Sequence, residues 1–403
     1  MNVLFVTWDG PGPNYLESLY LPIFSALQQE RVGHFSVQQY AWDAETRSAS
    51  IAEAAVSRDI DYRVRGVGPG PHSLATGAMM AAGGIDIARQ ARKKQVDVLM
   101  PRSIIPAAMC LVARRLLPDV KLLYDADGLM ADERADFGGW SQRGLSYRLF
   151  RRVERMAIRR ADLIVTRTRR SGQILAERSS ETQAVMAKTF VTSNGRDDDL
   201  FSPGSDETRS RTRESLGAPP PAPLVVYAGS LGGQYLPARM LAFFEKLHRE
   251  RRDARLLILT GAPDTALSLI EQSRVPKEAC IVRSVHPSEV PAFVAAADLG
   301  LAFRVQCLSQ QAVAPIKVGE YLLCGVPVFS SAGIGDLDQQ IVPAVGKLAG
   351  EASDTVLSDG VRWFVDTVMP NRDDYRECCR DAGLAHFSLE HTAEQYRRAF
   401  ERL

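Results

Sequence analysis

The sequence predicts an α/β protein built from two doubly wound parallel-sheet domains. Three observations predict it. Short apolar runs of strand length alternate with amphipathic helical stretches along the chain. A proline-rich break interrupts that series near the middle, and a second series follows it. The chain has 403 residues, more than one ordinary core holds and about right for two.

In the first series, strands are expected at 3–8, 35–41, 62–67, 96–101, 120–125, 163–166 and 189–193. Helical stretches lie between them, at 15–29, 75–93 and 106–117. The break runs from Ser202-Pro203-Gly204-Ser205, through a charged stretch, to Ala218-Pro219-Pro220-Pro221-Ala222-Pro223. Such punctuation suits a connection between domains. The second series has strands at 224–228, 256–259, 280–282, 299–303 and 326–329. The domains are therefore expected at 1–203 and 204–388, with a cleft between them. A last helix follows at 389–403, where Ala393, Tyr396, Ala399 and Phe400 share a face that packs back on either domain.

The bulk properties exclude several classes. A net charge of +1 supplies no field for nucleic acid. No apolar run is long enough to span a bilayer. The opening Asn2-Val3-Leu4-Phe5-Val6 reads at once as a strand, without the basic start and cleavage site of an exported chain. Cys110, Cys280, Cys307, Cys324, Cys378 and Cys379 form no C-x-x-C pair and no metal spacing with a histidine. Reduced thiols in the cytoplasm are expected, with no cofactor and no metal. The first strand-to-helix loop, Trp8-Asp9-Gly10-Pro11-Gly12-Pro13-Asn14, is glycine-rich but is not G-x-G-x-x-G. That argues against a dinucleotide enzyme.

The segment from Ala314 to Val328 carries the most chemistry: Ala314-Pro315-Ile316-Lys317-Val318-Gly319-Glu320-Tyr321-Leu322-Leu323-Cys324-Gly325-Val326-Pro327-Val328. Pro315 suits the start of a helix and Gly325 its end. Lys317 and Glu320 share a face. The helix N-terminus is expected at the carboxyl edge of a sheet, where free N–H groups favour phosphate and a carboxylate can accept from two ribose hydroxyls. A solvated ion pair explains Lys317 and Glu320 equally well.

Here the residues resemble glycosyltransferase family 4, retaining enzymes of GT-B fold. Pro315-x-Lys317-x-x-Glu320-Tyr321-Leu322 with Gly325 and Pro327-Val328 looks like that family's donor-site helix. Asn194-Gly195-Arg196-Asp197 with Phe201 and Pro203 is similar to its N-G-x-D-x-x-x-F-x-P segment. Val225-Val226-Tyr227-Ala228-Gly229-Ser230-Leu231 looks like the strand and glycine loop that open its second domain, and His286 to Leu301 resembles its segment near the base. The resemblance implies that Glu320 holds the donor ribose and that Lys317, with the backbone of Pro315 and Ile316, faces the diphosphate. It places Val290 by the base and lets Gly229, Ser230, Gly232 and Gly233 approach the diphosphate. His286 has either a donor contact or a structural role.

Two departures from the family stand out. Ala312 occupies a position where many relatives carry Glu. Ser230 and the stretch Gly233-Gln234-Tyr235-Leu236 lack the usual Arg and Lys. The diphosphate is then expected to depend on Lys317, helix N-termini and Arg304.

In the first domain, Asp125-Ala126-Asp127-Gly128 through Glu133 is similar to a D-x-x-G-x-x-x-x-E segment of the same family. By that resemblance Asp127 or Glu133 orients the acceptor hydroxyl in a same-face attack, where positioning and charge stabilisation carry catalysis. Two other readings stay open: a helix cap at Asp132, and a metal-binding D-x-D at Asp125 and Asp127. Arg102, just after the strand at 96–101, makes a phosphate or carboxylate fork or a surface ion pair. Ten arginines lie between 143 and 170, and Leu145, Leu149, Val153, Met156 and Ala157 keep helical spacing among them. That stretch is either a solvated face with its apolar stripe in the core, or a contact with an anionic membrane surface.

The expected function is retaining transfer of sugar from a nucleotide-sugar donor to a glycan or lipid-linked acceptor, in surface polysaccharide biosynthesis. The alternatives are a non-catalytic GT-B homologue and a metal-dependent D-x-D transferase.

Overall fold

The computed structural model describes residues 1–9, 15–41, 44–67, 74–350 and 353–403. It divides into two compact units. The first comprises Met1–Gly195, Gln311–Val313 and Leu389–Leu403; the second comprises Arg196–Gln310 and Ala314–Ser388. Residues 196–203 thus lie in the second unit, and the terminal helix lies in the first.

The first unit holds a seven-stranded parallel sheet of β1 (Asn2–Asp9), β2 (His34–Ala41), β3 (Asp61–Gly66), β4 (Val98–Pro101), β5 (Lys121–Ala126), β6 (Leu163–Thr166) and β7 (Thr189–Val191). Their spatial order is β3-β2-β1-β4-β5-β6-β7. Helices cover both faces, so the central strands are apolar without a break: Val3, Leu4, Phe5 and Val6 are all buried. The helix Leu389–Phe400 docks here because its expected face is fully used. Ala393, Tyr396, Ala399 and Phe400 are buried, and the Phe400 ring meets Phe35 edge-on at 5.7 Å.

The second unit holds a six-stranded parallel sheet of β8 (Leu224–Ala228), β9 (Arg255–Leu259), β10 (Cys280–Arg283), β11 (Leu299–Ala302), β12 (Val328–Ser331) and β13 (Gly346–Ala349), in the order β10-β9-β8-β11-β12-β13. Sequence reasoning missed β13. It is a short edge strand, and a Cβ on Gly346 would lie 2.4 Å from the Val328 carbonyl oxygen, so a glycine stands where an apolar residue would have marked the strand.

The proline-rich break is also more than a linker. It contains the helix Asp206–Ser215, whose Arg213 is fully buried. Arg209, Arg213 and Arg372 converge on the buried Asp298 carboxylate at 2.6, 3.1 and 3.2 Å, and that carboxylate also accepts the Leu224 N–H at 2.8 Å. One acid thereby fastens the connection to the start of β8 and β11.

Both sheets reverse winding once, between β1 and β4 in the first and between β8 and β11 in the second. Such switch points open a crevice at the carboxyl ends of the strands. In the second unit the crevice is set by Tyr321, whose ring packs on β11. Its hydroxyl oxygen accepts the Ala228 N–H at 2.8 Å, fixing the last residue of β8. Gly300 permits this, because a Cβ there would lie 2.3 Å from the ring. Gly300→Ala is therefore expected to cost about 1–3 kcal/mol of stability. Chemical denaturation measures it, and an unchanged midpoint would show that the ring moves aside freely.

Among the described residues no helix is long and apolar enough to cross a membrane.

Candidate functional site

Each switch point carries a cluster of charged and aromatic side chains.

In the second unit β8 ends in a loop that begins at Gly229, where φ is +127°, a conformation that favours glycine. The loop is tied to the chain leaving β11. Leu236 N–H donates to the Phe303 carbonyl at 3.3 Å, and Val305 N–H to the Gln234 carbonyl at 2.9 Å. The exposed Gly232 and Gly233 lie between. The exposed Ser230 accepts at its carbonyl from the Tyr227 hydroxyl.

Lys317 enters from the helix Ile316–Leu323. The preceding Pro315 is the extended cap residue, just outside the first turn, and it is buried. The Lys317 Nζ is buried and has no hydrogen-bond partner. It rests 3.9 Å from the centre of the Tyr227 ring and 4.3 Å from that of Tyr235. A Cβ on Gly229 would lie 3.2 Å from it. Burial first, then the nearby Arg304 charge, pushes Lys317 down to about 7 against the pull of Glu320. Arg304 is buried too: its Nε donates to Gln310 Oε1 at 2.6 Å, and its guanidinium lies 4.7 Å from the Tyr235 ring centre.

Glu320 is half-buried and paired with Arg196 at 2.9 Å, so the ion pair it makes is not with Lys317. Arg196 in turn stacks on Phe201 at 4.8 Å. His286 is exposed, in a local turn: its Nδ1 shares a 2.7 Å hydrogen bond with Ser288 Oγ, and its N–H donates to Glu289 Oε2 at 3.0 Å. Val290 is half-buried against the second-unit core. This unit thus brings together Gly229, Tyr227, Tyr235, Arg304 and Lys317, with Glu320 one helical turn further on.

In the first unit β1 ends at Asp9, and Arg102 follows β4. Arg102 N–H donates to the Val6 carbonyl at 2.9 Å and Ser103 N–H to the Asp125 carbonyl at 2.8 Å, so both neighbouring strands hold the arginine at the switch point. Its guanidinium bridges Asp9 at 3.2 Å and Asp127 at 2.5 Å. Arg167, leaving β6, pairs with Asp125 at 2.6 Å and reaches Asp127 at 3.4 Å. It also donates to the Tyr20 hydroxyl at 2.8 Å, the Tyr396 hydroxyl at 3.0 Å and the Thr192 hydroxyl. Gln39 Nε2 and the Thr7 hydroxyl complete the shell of Asp9, at 2.9 and 3.0 Å.

The two linked carboxyls diverge. Burial raises Asp125 above the usual range although Arg167 opposes it. For Asp127 burial acts the same way, but Arg102 and then Arg167 outweigh it and hold the carboxyl below that range. Asp127 is therefore an ionised acceptor at the crevice. Asp125, the first acid of the D-x-D pair, is fully buried and paired with Arg167.

Glu133 is exposed on the helix Met130–Asp136. Asp132 does not cap that helix; its buried carboxylate is forked by Arg178 at 2.8 and 2.9 Å and accepts the Tyr147 hydroxyl at 2.9 Å. In the basic helix Leu145–Arg160, the core side is Phe150, Glu154, Ala157 and Ile158, while Leu145 is 83% and Leu149 52% exposed. Arg167 belongs to the buried network and not to the basic surface. The glycine-rich loop at 10–14 lies outside the described residues.

Sequence reasoning missed Arg167, Arg196, Tyr20, Tyr227, Tyr235 and Tyr396. Arg196 sat inside the N-G-x-D match, and the order of strands would have placed Arg167 beside Asp125.

Residues 208–380 match the sequence model of the family described as glycosyl transferases group 1. A D-inositol 3-phosphate glycosyltransferase of Corynebacterium glutamicum (strain R) is 30% identical over 156 residues, which are 36% of this chain and 36% of that protein. The match thus spans about a third of the curated relative. A glycosyltransferase from Rickettsia africae superposes with a TM-score of 0.75 over 99% of this chain and 98% of its own, at 13% identity. Anabaena Alr3699/HepE in complex with UDP-glucose superposes with a TM-score of 0.72 over all of both chains, at 16% identity. The fold is GT-B, with two parallel-sheet α/β domains.

Arg167→Leu is expected to destabilise the protein by about 3–5 kcal/mol, because it strands a buried carboxylate. Burial then raises Asp125 with only the weaker pull of Arg102 against it, so the folded variant keeps a proton that the unfolded chain releases. Its stability should fall as pH rises from the acid side of the carboxylate range toward neutrality. Urea denaturation of variant and wild type between pH 4 and 8 measures this; parallel pH profiles would refute it.

Proposed function

We propose that this chain, whose residues 208–380 belong to the glycosyl transferases group 1, is a retaining, metal-independent glycosyltransferase acting on a nucleotide-sugar donor. The observation that carries the reading is the buried Lys317 Nζ, which has aromatic faces beneath a glycine loop but no hydrogen-bond partner. A buried amine in that position is a receiver for an anionic oxygen. A donor diphosphate supplies such an oxygen, and Glu320, three residues along the same helix, accepts from the ribose hydroxyls.

In the transfer, the acceptor oxygen bonds to the anomeric carbon on the face from which the diphosphate oxygen departs. The departing oxygen takes the acceptor proton. Lys317 and Arg304 stabilise the charge that develops on the diphosphate. Asp127, ionised and held by two arginines, accepts from the acceptor hydroxyl and orients it.

The acceptor is a glycan or a lipid-linked glycan of a surface polysaccharide, met at the inner face of the membrane. The exposed Leu145 and Leu149 among Arg143, Arg148 and Arg152 support a peripheral contact. Each cation near an anionic surface contributes about 1 kcal/mol. Vesicles of phosphatidylglycerol should therefore sediment the protein at low salt and release it at high salt, and Leu145→Ser with Leu149→Ser should weaken the binding. No sedimentation at low salt rejects the contact.

A thermal-shift screen of UDP-, GDP- and CDP-sugars, with and without chelator, tests the donor reading. A shift with one base that survives chelator supports it. A shift that needs metal refutes metal independence, and binding without turnover favours a non-catalytic homologue. Glu320→Ala should weaken donor binding about ten- to a hundredfold. Asp127→Asn should instead lower kcat with donor affinity nearly unchanged. Unaltered kinetics in either variant removes that residue from its role.

A further inference from the structure

The glycine loop has no cation of its own: Ser230, Gly232, Gly233 and Gln234 carry none. Its one aromatic side chain is Tyr235, and the Tyr235 ring makes a cation–π contact with both buried cations. Lys317 Nζ is 4.3 Å and the Arg304 guanidinium carbon 4.7 Å from the ring centre. The backbone of Tyr235 also pairs with that of Arg304 in an isolated antiparallel bridge, so loop and cation are registered to each other. Without the ring, two buried positive groups would face one another with only Glu320 to offset them, and Glu320 is engaged by Arg196.

We propose that Tyr235 is a positioning residue of the donor site, whose ring holds Lys317 and Arg304 beneath the glycine loop in the arrangement that a diphosphate binds. This rests on the donor reading given above. The ring's negative face offsets the two charges in the empty site and stays against them when the diphosphate binds, so the ligand meets a preorganised pair of cations. The contribution needs the ring and not the hydroxyl, and it acts through Lys317.

Calorimetric titration with UDP, GDP and CDP tests this in a double-mutant cycle. Tyr235→Phe should bind the preferred diphosphate within about twofold of wild type, and Tyr235→Ala about tenfold more weakly. In a Lys317→Met background, which itself binds weakly, Tyr235→Ala should cost little more. Thermal unfolding of the unliganded variants confirms that each is folded. Full affinity in Tyr235→Ala overturns the proposal, as does a Tyr235→Phe variant as weak as the alanine one. Additive losses across the cycle also overturn it, since they mean that Tyr235 does not act through Lys317. If wild type binds none of the three diphosphates, the donor reading itself falls, which is a different failure from any of these.

Discussion

A parallel strand reaches its neighbour only by crossing a face of the sheet, and the arrangement of this chain follows from that constraint. Each unit winds outward in one direction from β1 or β8, then returns and winds in the other from β4 or β11. At the point of return, the loops leaving two adjacent strands depart to opposite faces and leave a gap. Asp9 and Arg102 stand at one such gap, Gly229 and Arg304 at the other. Neither pair is close in sequence. The winding brings each together, and the strand register fixes it.

The same topology yields two different electrostatic states. In the first unit the described charges at the gap are matched to one another: two guanidinium groups are shared among Asp9, Asp125 and Asp127, with the Tyr20 and Tyr396 hydroxyls closing the network. Such a network is rigid because each removal leaves a partner stranded in a low dielectric. It can hold a hydroxyl in place with little reorganisation. The second unit is the reverse. Lys317 is buried with aromatic faces for company and is pushed toward neutrality, so it carries an unmet demand for an anion. One unit is suited to orienting and the other to capture.

Most of the fold was legible in the sequence, because parallel sheets covered on both faces write themselves as unbroken apolar runs. What escaped was written in other terms. The edge strand β13 begins with a glycine forced by a close backbone approach. The proline-rich break concealed a helix, because the burial of Arg213 depends on Asp298, which lies 85 residues away. The site divided in the same manner. Lys317 and Glu320 share a helix and could be read locally, although their partners could not: Glu320 turns to Arg196, and Lys317 to Tyr227 and Tyr235. On the basic helix, period alone left Leu145 and Leu149 either in the core or at a membrane surface; the inward face is set by Phe150 and Ile158, one position around. The sequence singled out Asp127 and joined Asp125 to it only in the metal-binding reading. Their different depths, and the different arginines that reach them, separate one as structural and the other as available.

The departures from the family pattern also acquire a physical account. A loop that carries its own arginine and lysine presents cations to a diphosphate from above. Here the loop carries neither, and on the proposed donor reading the buried Lys317 compensates, because an ammonium's interaction with an anion strengthens as water is excluded. Deep burial has its own cost, which is that the amine resists being charged in the empty site. Aromatic faces offset that cost without supplying a competing hydrogen bond, and Tyr227 and Tyr235 are the residues at that contact. The loss of the basic pair and the presence of the tyrosines are therefore two sides of one arrangement.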